Sequence, residues 1–473
     1  MLRIALIAVL AACSTSPTSS VVASLASSCP TAAVPDDGLD DRGAIQAACD
    51  APQHCAYLPA GVYDVDSIPF TPPARRPYAM VTADGCEIYG DGAAATTVRF
   101  RGSAGSQDWE GIRLTGASPS LHDLTLRTTS SVTETGEQTH AVRVLGPSTS
   151  PSVYRVTIDH PVLDGWKRGD CIQFVAYNDG RLVSGARIHD VEFAHCDRSG
   201  VAAHSGVSDL QVVDSHFSDT GNTALDFEGT GDTHDVLIAF NRFELSPGPH
   251  GVVEIQLQLV DHARVTGNIL QGRSIDVYQS DDVQIDHNTV VLTQTTGVPV
   301  IGIGKDSSRV TIDHNTLTRT AAAGTGAVIR AVPHGTGTPD HVVVADNTLE
   351  QQTGDHVIDT VGLVGLSVLR NRVTYTGAVG NTYGVLVAGG GSNAAPGIRA
   401  TDIVVADNTW TGPLHGMLGL SGSYGGVGTA SSSGNTASAG IVCWNVAVGR
   451  GITGPLTSVR DATPGPLGCA PLL

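Results

Sequence analysis

The chain has 473 residues, 46 acidic against 27 basic side chains for a formal net charge of -19, and 5% aromatic residues. Lysine occurs only as Lys167 and Lys305, and no basic stripe exists to neutralise phosphates, which excludes nucleic acid as a partner. A chain this long ordinarily divides into several domains unless it is built from a repeat.

Read from the start, Met1-Leu2-Arg3 gives one positive charge and Ile4 to Ala12 is an unbroken apolar run. That run is too short to span a bilayer but suits the core of a secretory signal. It ends in Leu10-Ala11-Ala12-Cys13, which resembles a bacterial lipobox. The resemblance implies that residues 1–13 form a lipoprotein signal, with Cys13 acylated as the mature N-terminus. Ser14 carries no acidic inner-membrane retention cue, so an outer-membrane or cell-surface address is expected, with the lipid as the only membrane attachment. Residues 14–35 read as a Ser/Thr/Ala-rich tether. Removing Cys13 leaves an even set: Cys29, Cys49, Cys55, Cys86, Cys171, Cys196, Cys443 and Cys469. Their spacing fits neither a zinc finger nor a Cys-x-x-Cys motif, so disulfides in an oxidising compartment are expected.

Next comes Asp41-Arg42-Gly43-Ala44-Ile45-Gln46-Ala47-Ala48, whose Ala44, Ile45, Ala47 and Ala48 offer a small apolar face. From there a motif of alternating apolar residues followed by Asn recurs. It reads Val236-Leu237-Ile238-Ala239-Phe240-Asn241, then Val283-Gln284-Ile285-Asp286-His287-Asn288 and Val310-Thr311-Ile312-Asp313-His314-Asn315. Further copies end at Asn268, Asn347, Asn371 and Asn408, at intervals of 20 to 37 residues. Period-two alternation at such intervals predicts a β-solenoid, one coil per copy, with the alternate apolar residues stacked inside. Asn suits the bend because it tolerates left-handed dihedrals and its amide can form a ladder.

The entry segment, with Tyr57-Leu58-Pro59-Ala60-Gly61-Val62-Tyr63 and Ile88-Tyr89-Gly90-Asp91-Gly92, resembles that of the pectate-lyase-like superfamily. The resemblance implies an all-β, single-stranded right-handed parallel β-helix with a short N-terminal capping helix. The expected solenoid covers residues 36–440 in about 11–12 coils, with 441–473 as a disulfide-stapled C-terminal cap. Expected bridges are Cys171–Cys196 on adjacent coils and Cys443–Cys469, with Cys29, Cys49, Cys55 and Cys86 pairing among themselves. The fold fixes architecture far more tightly than activity.

In that superfamily the first strand of each coil lines the substrate cleft. Placing apolar residues inward leaves the outward pairs Asp226/Glu228, Glu254/Gln256 and Asp276/Tyr278 on three consecutive coils, with Gly302/Gly304 on the next. Asp226, Glu254 and Asp276 are therefore expected to form one column of catalytic carboxyls. Stacked like charges raise a pKa and so separate a general acid from an ionised partner. Glu228, Tyr278, His204, Trp166 and Lys305 are expected to contact substrate, Tyr278 and Trp166 as platforms for a sugar. The leading expectation is a surface lipoprotein hydrolysing polysaccharide. One alternative is a polysaccharide lyase whose acidic patch holds Ca2+, with Tyr278 or Lys305 as base. Another is a glycan-binding or adhesin-like β-helix without catalysis. Asp170-Cys171-Ile172 is similar to a polygalacturonase motif, but the companion motifs are absent.

Overall fold

The computed structural model describes residues 29–448 apart from 67–77, 102–108, 130–138, 161–168, 177–181, 245–252, 294–296, 334–336, 379–381, 390–398, 422–426 and 438–442. Cys13, Trp166 and Cys469 thus lie outside the described residues, and of Cys443 only the backbone is described.

Every strand pairing is parallel, and each joins one coil to the next. The strands of one coil, Ile301–Gly304, Ser308–Asp313 and Thr316–Arg319, pair respectively with Ile329–Val332, Asp340–Ala345 and Thr348–Gln351 of the following coil. The chain is a right-handed parallel β-helix with three stacked strand faces. The pairing continues to Cys443–Val448, which adds to Gly416–Ser421 and carries the solenoid past the expected boundary at 440.

Alternation decides what is inside. On the first face Ile172, Val201, Leu225, Ile255, Ile275 and Ile301 are successive partners, all buried, and stack as one inward row. Burying each such side chain contributes roughly 1.5–3 kcal/mol. Phe193, Phe217 and Phe243 form a second row, with ring centroids 4.3 and 4.7 Å apart. The N-terminal end is closed by the helix Arg42–Asp50, which buries Ile45, Ala48 and Cys49 while Ala44 and Ala47 face out. Capping matters because an open solenoid end would present unpaired strand edges.

Disulfides join Cys29 to Cys55, Cys49 to Cys86 and Cys171 to Cys196. The first two pair the four N-terminal cysteines among themselves, and the second ties the capping helix to the sheet. The third links neighbouring coils, with Cα atoms 5.5 Å apart. Such bonds persist in oxidising, extracytoplasmic compartments.

The asparagines form the expected ladder, with one correction. The left-handed residue is the one before each Asn: His287, His314, Asp346, Arg370 and Asp407 have φ between 53° and 59°. That residue makes the turn and faces out. The turn swings the Asn amide inward, where it is buried. Each Asn Oδ1 accepts both the backbone N–H and the side-chain amide of the Asn one coil earlier, from Asn241 through Asn288 and Asn315 to Asn435. Each Nδ2 also donates to a carbonyl of the earlier coil, as Asn315 does to Ile285.

Replacing Asn315 with Leu removes the acceptor of the Asn288 backbone N–H and the side-chain donor to the Ile285 carbonyl. Each stranded group costs about 1–3 kcal/mol. The urea midpoint of Asn315→Leu should therefore fall clearly below that of the parent; an unchanged midpoint would mean the ladder adds no stability.

Candidate active site

The outward row of the first face runs Gln173, Ala202, Asp226, Gln256, Asp276, Gly302, Arg330 and Asp359, each the partner of the next. Asp226 and Asp276 share this column as expected. Glu254 does not. A bulge between Val253 and Ile255 pairs Val253 with Ser274 but Ile255 with Ile275, so Glu254 is the extra residue and Gln256 takes its place. A bulge of this kind leaves one residue unpaired and re-aims its side chain. Glu254 is 1% exposed, with its carboxylate 3.7 Å from the buried Arg273 guanidinium. Burial pushes its carboxyl up to about 8 against the opposing pull of Arg273.

The column therefore does not bring carboxyls together on neighbouring coils. Asp226 and Asp276 stand two coils apart, about 10 Å by the strand spacing. Among the described residues no three His, Cys, Asp or Glu side chains converge on a common point where a metal ion would bind. The three acids expected to share Ca2+ are separated by Gln256 and by the burial of Glu254.

What does converge is a polar chain beside Asp226. Asp170, fully buried, accepts a paired hydrogen bond from Arg198 at 2.8 and 2.6 Å. Arg198 Nη2 lies 3.2 Å from His204 Nε2, and His204 Nδ1 lies 3.5 Å from Glu228. The hydrogen bond from His204 holds the Glu228 carboxyl below its ordinary range, with the charges of His204 and Arg198 adding to the effect. Asp226, two residues earlier on the same strand, goes the other way. Burial lifts it to about 7, with the Glu228 and Asp170 charges adding and Arg198 and His204 opposing. Its Oδ1 has no hydrogen-bond partner among the described residues. Arg198 and Asp170 were not among the expected site residues. The signal was available: opposite charges one coil apart, beside the Cys171–Cys196 bridge.

Asp276 belongs to a second cluster. Burial raises its carboxyl to about 6, opposed by a hydrogen bond from the Tyr278 hydroxyl at 3.3 Å. Both side chains lean over the next coil. A Cβ at Gly302 would meet Asp276 Oδ1 at 2.5 Å, and one at Gly304 would meet the Tyr278 ring at 2.4 Å. The two glycines are thus required by the tilt of their neighbours, and the space they leave is partly filled by them. Lys305 donates to Gln279 at 3.1 Å, and its ammonium is 5.9 Å from the Tyr278 ring centre. It stands beside Tyr278 and away from Asp226.

No protein-family model matches the chain, and no curated protein matches its sequence. Solved structures do resemble it in outline. The A-module of the mannuronan C-5 epimerase AlgE6 of Azotobacter vinelandii is 14% identical, with a TM-score of 0.46 over 90% of this chain and 98% of that one. A double mutant of the tailspike protein of E. coli bacteriophage HK620, in complex with a pentasaccharide, is 14% identical, with a TM-score of 0.47 over 88% of this chain and 79% of that one. PfbA, a surface adhesin of Streptococcus pneumoniae, is 16% identical, with a TM-score of 0.43 over 73% of this chain and 89% of that one. At this distance the likeness concerns the β-helix alone.

The raised carboxyl of Asp226 has a consequence for stability. Its folded value, about 7, lies above the ordinary 3.8, so the native state binds this proton more tightly than the unfolded chain does. Its stabilising contribution is complete below the unfolded value and is lost as pH rises through the folded one. Asp226→Asn should match the parent near pH 4 and exceed it at pH 8, by on the order of 2–4 kcal/mol. Urea titrations at the two pH values measure this, and equal stability at pH 8 would show that Asp226 ionises without penalty.

Proposed function

We propose that the chain hydrolyses a glycosidic bond of a polysaccharide laid on the first strand face, with Asp226 as general acid and Glu228 as general base. One observation carries this reading: two outward acids on one strand have environments that drive their proton affinities apart. Such divergence separates acid from base at neutral pH. Alternation along the strand sets their Cα atoms about 6.7 Å apart, which lets both carboxyls reach one sugar linkage. Protonated Asp226 gives its proton to the glycosidic oxygen as the C–O bond breaks. Ionised Glu228 takes a proton from the water that attacks the anomeric carbon. Its side chain is 51% exposed, within reach of that water, and His204 and Arg198 keep it ionised. Glu254, buried away from this face, takes no part.

General acid or base catalysis typically contributes 10²- to 10⁴-fold. Asp226→Asn and Glu228→Gln should each lose activity by about that factor without a fall in melting temperature, while Glu254→Gln keeps most of it. Release of reducing ends from a panel of bacterial and plant polysaccharides is the assay. Full activity in Asp226→Asn would overturn the assignment.

The lipobox-like Leu10-Ala11-Ala12-Cys13 supports a companion reading, export with acylation at Cys13 and attachment to the cell envelope through lipid. A single acyl chain binds membranes only marginally, so stable attachment takes more than one. Cys13→Ser should move the protein from the membrane to the soluble fraction or leave an unprocessed precursor; unchanged fractionation would sink this reading.

A further inference from the structure

Along the same face, past Asp276, lies a pocket of about 190 Å³. Its floor is Gly302, Ile303 and Gly304, one side is the Tyr278 ring, and the far side is Arg330 and Val332 of the next coil. Val298 and Pro299 form the remaining wall. The lining is mainly apolar, and Arg330 is its one cationic side chain. Gly302 stands three coils from Asp226 in the same row, about 14 Å by the strand spacing.

The wall is held by an unusual strut. Arg319 is fully buried, and its hydrogen bonds go to backbone carbonyls: Val298 on one side, and Ala323, Gly324 and Thr325 on the other. A side chain at Gly326 would strike its guanidinium at 2.6 Å. Burial lowers the proton affinity of Arg319, yet an arginine stays charged in proteins. A buried charge is costly unless its donors are satisfied, and here they are satisfied by the carbonyls of the turns that shape the pocket. The pocket is therefore built before any ligand arrives.

We infer that this pocket is a subsite for an N-acetylated sugar residue of the glycan, its acetamido methyl seated against Val298, Pro299 and Val332 and its carbonyl accepting from Arg330. This rests on the reading of the face as a glycan cleft and names the sugar chemistry it selects. An acetamido group combines what the pocket offers: an apolar methyl for the wall and one acceptor for one donor. The ion-pair partner of Arg330 among the described residues is Asp359, through Nε at 3.2 Å, and the Arg330 side chain lines the pocket. A polyanionic chain fits less well, because the protein carries a net charge of -19 and Asp276 and Asp359 flank the site. At about 14 Å from Asp226, the subsite grips a residue other than the one being cleaved.

The test uses saturation-transfer NMR on the full-length Asp226→Asn protein, so that binding is read without turnover. The probes are N-acetylglucosamine and N-acetylgalactosamine, with glucosamine, galactosamine, glucose and galactose as controls. The acetamido methyl of at least one N-acetyl sugar should take up the strongest saturation, and the deacetylated sugars should show little. Val332→Trp fills the pocket and should abolish the signal. Arg330→Gln should weaken binding about tenfold, the worth of a hydrogen bond to a charged donor. Arg319→Lys, which cannot reach all four carbonyls, should weaken it while leaving Arg330 and Val332 intact. Equal signals from acetylated and deacetylated sugars, no signal from either N-acetyl sugar, or a signal that survives Val332→Trp would each overturn the subsite. Since none of these readouts needs catalysis, the subsite can fail while Asp226 and Glu228 stand, and the reverse.

Discussion

Lateral pairing between successive coils is the constraint on which the rest of this molecule depends. Between the two ends of the solenoid each strand is hydrogen-bonded to the coil before and the coil after, so a residue's neighbours are fixed by register and not by sequence distance. The inward rows of Ile and Val, the Phe193–Phe217–Phe243 stack and the asparagine ladder are the same rule seen at three positions. It also quantises the outer surface. Functional side chains stand only at multiples of one strand spacing, about 4.8 Å, along rows that run the length of the solenoid. A single bulge at Val253–Ile255 therefore moves a carboxylate out of its row altogether.

Within that frame, the proposed chemistry depends on burial and pairing being unequal. Asp226 and Glu228 share a strand and a face, yet one is buried and the other is 51% exposed and held by His204. The chain Asp170–Arg198–His204–Glu228 places a compensated positive charge beside an uncompensated acid. Burial drives the shift at Asp226, whereas at the half-exposed Glu228 the His204 hydrogen bond outweighs it. The buried Asp170, with His140 3.4 Å away, anchors the guanidinium from below. The geometry of the ionised acid thus traces back to the turn that precedes the strand, next to a disulfide.

The second half of the face is governed by shape. Gly302 and Gly304 admit the tilted side chains of Asp276 and Tyr278, and Arg319 ties two turns into a fixed wall. Loops tied in this way offer a cleft that costs little to organise when a ligand enters. Rows supply the spacing and turns supply the walls.

The solenoid was legible in the sequence, because period-two alternation ending in Asn and recurring every 20 to 37 residues fits stacked coils with apolar residues inward. The spacing of Cys171 and Cys196 permitted their pairing, and the fold brings their Cα atoms to 5.5 Å. Asp226 and Asp276 in one outward row were legible for the same reason, as were Tyr278 beside Asp276 and His204 beside Glu228. Tertiary structure alone decided the rest. Glu254 reads as an outward acid by alternation, and only the bulge, a slip of one residue between coils, turns it inward toward Arg273. The left-handed residue sits before each Asn and not at it, because the amide must turn inward to reach the next amide. Arg319 carries no periodic signal; its role follows from turns whose paths depend on the coils around them. Alternation encodes which side of a strand a residue faces, whereas proton affinity depends on what else comes to rest beside it.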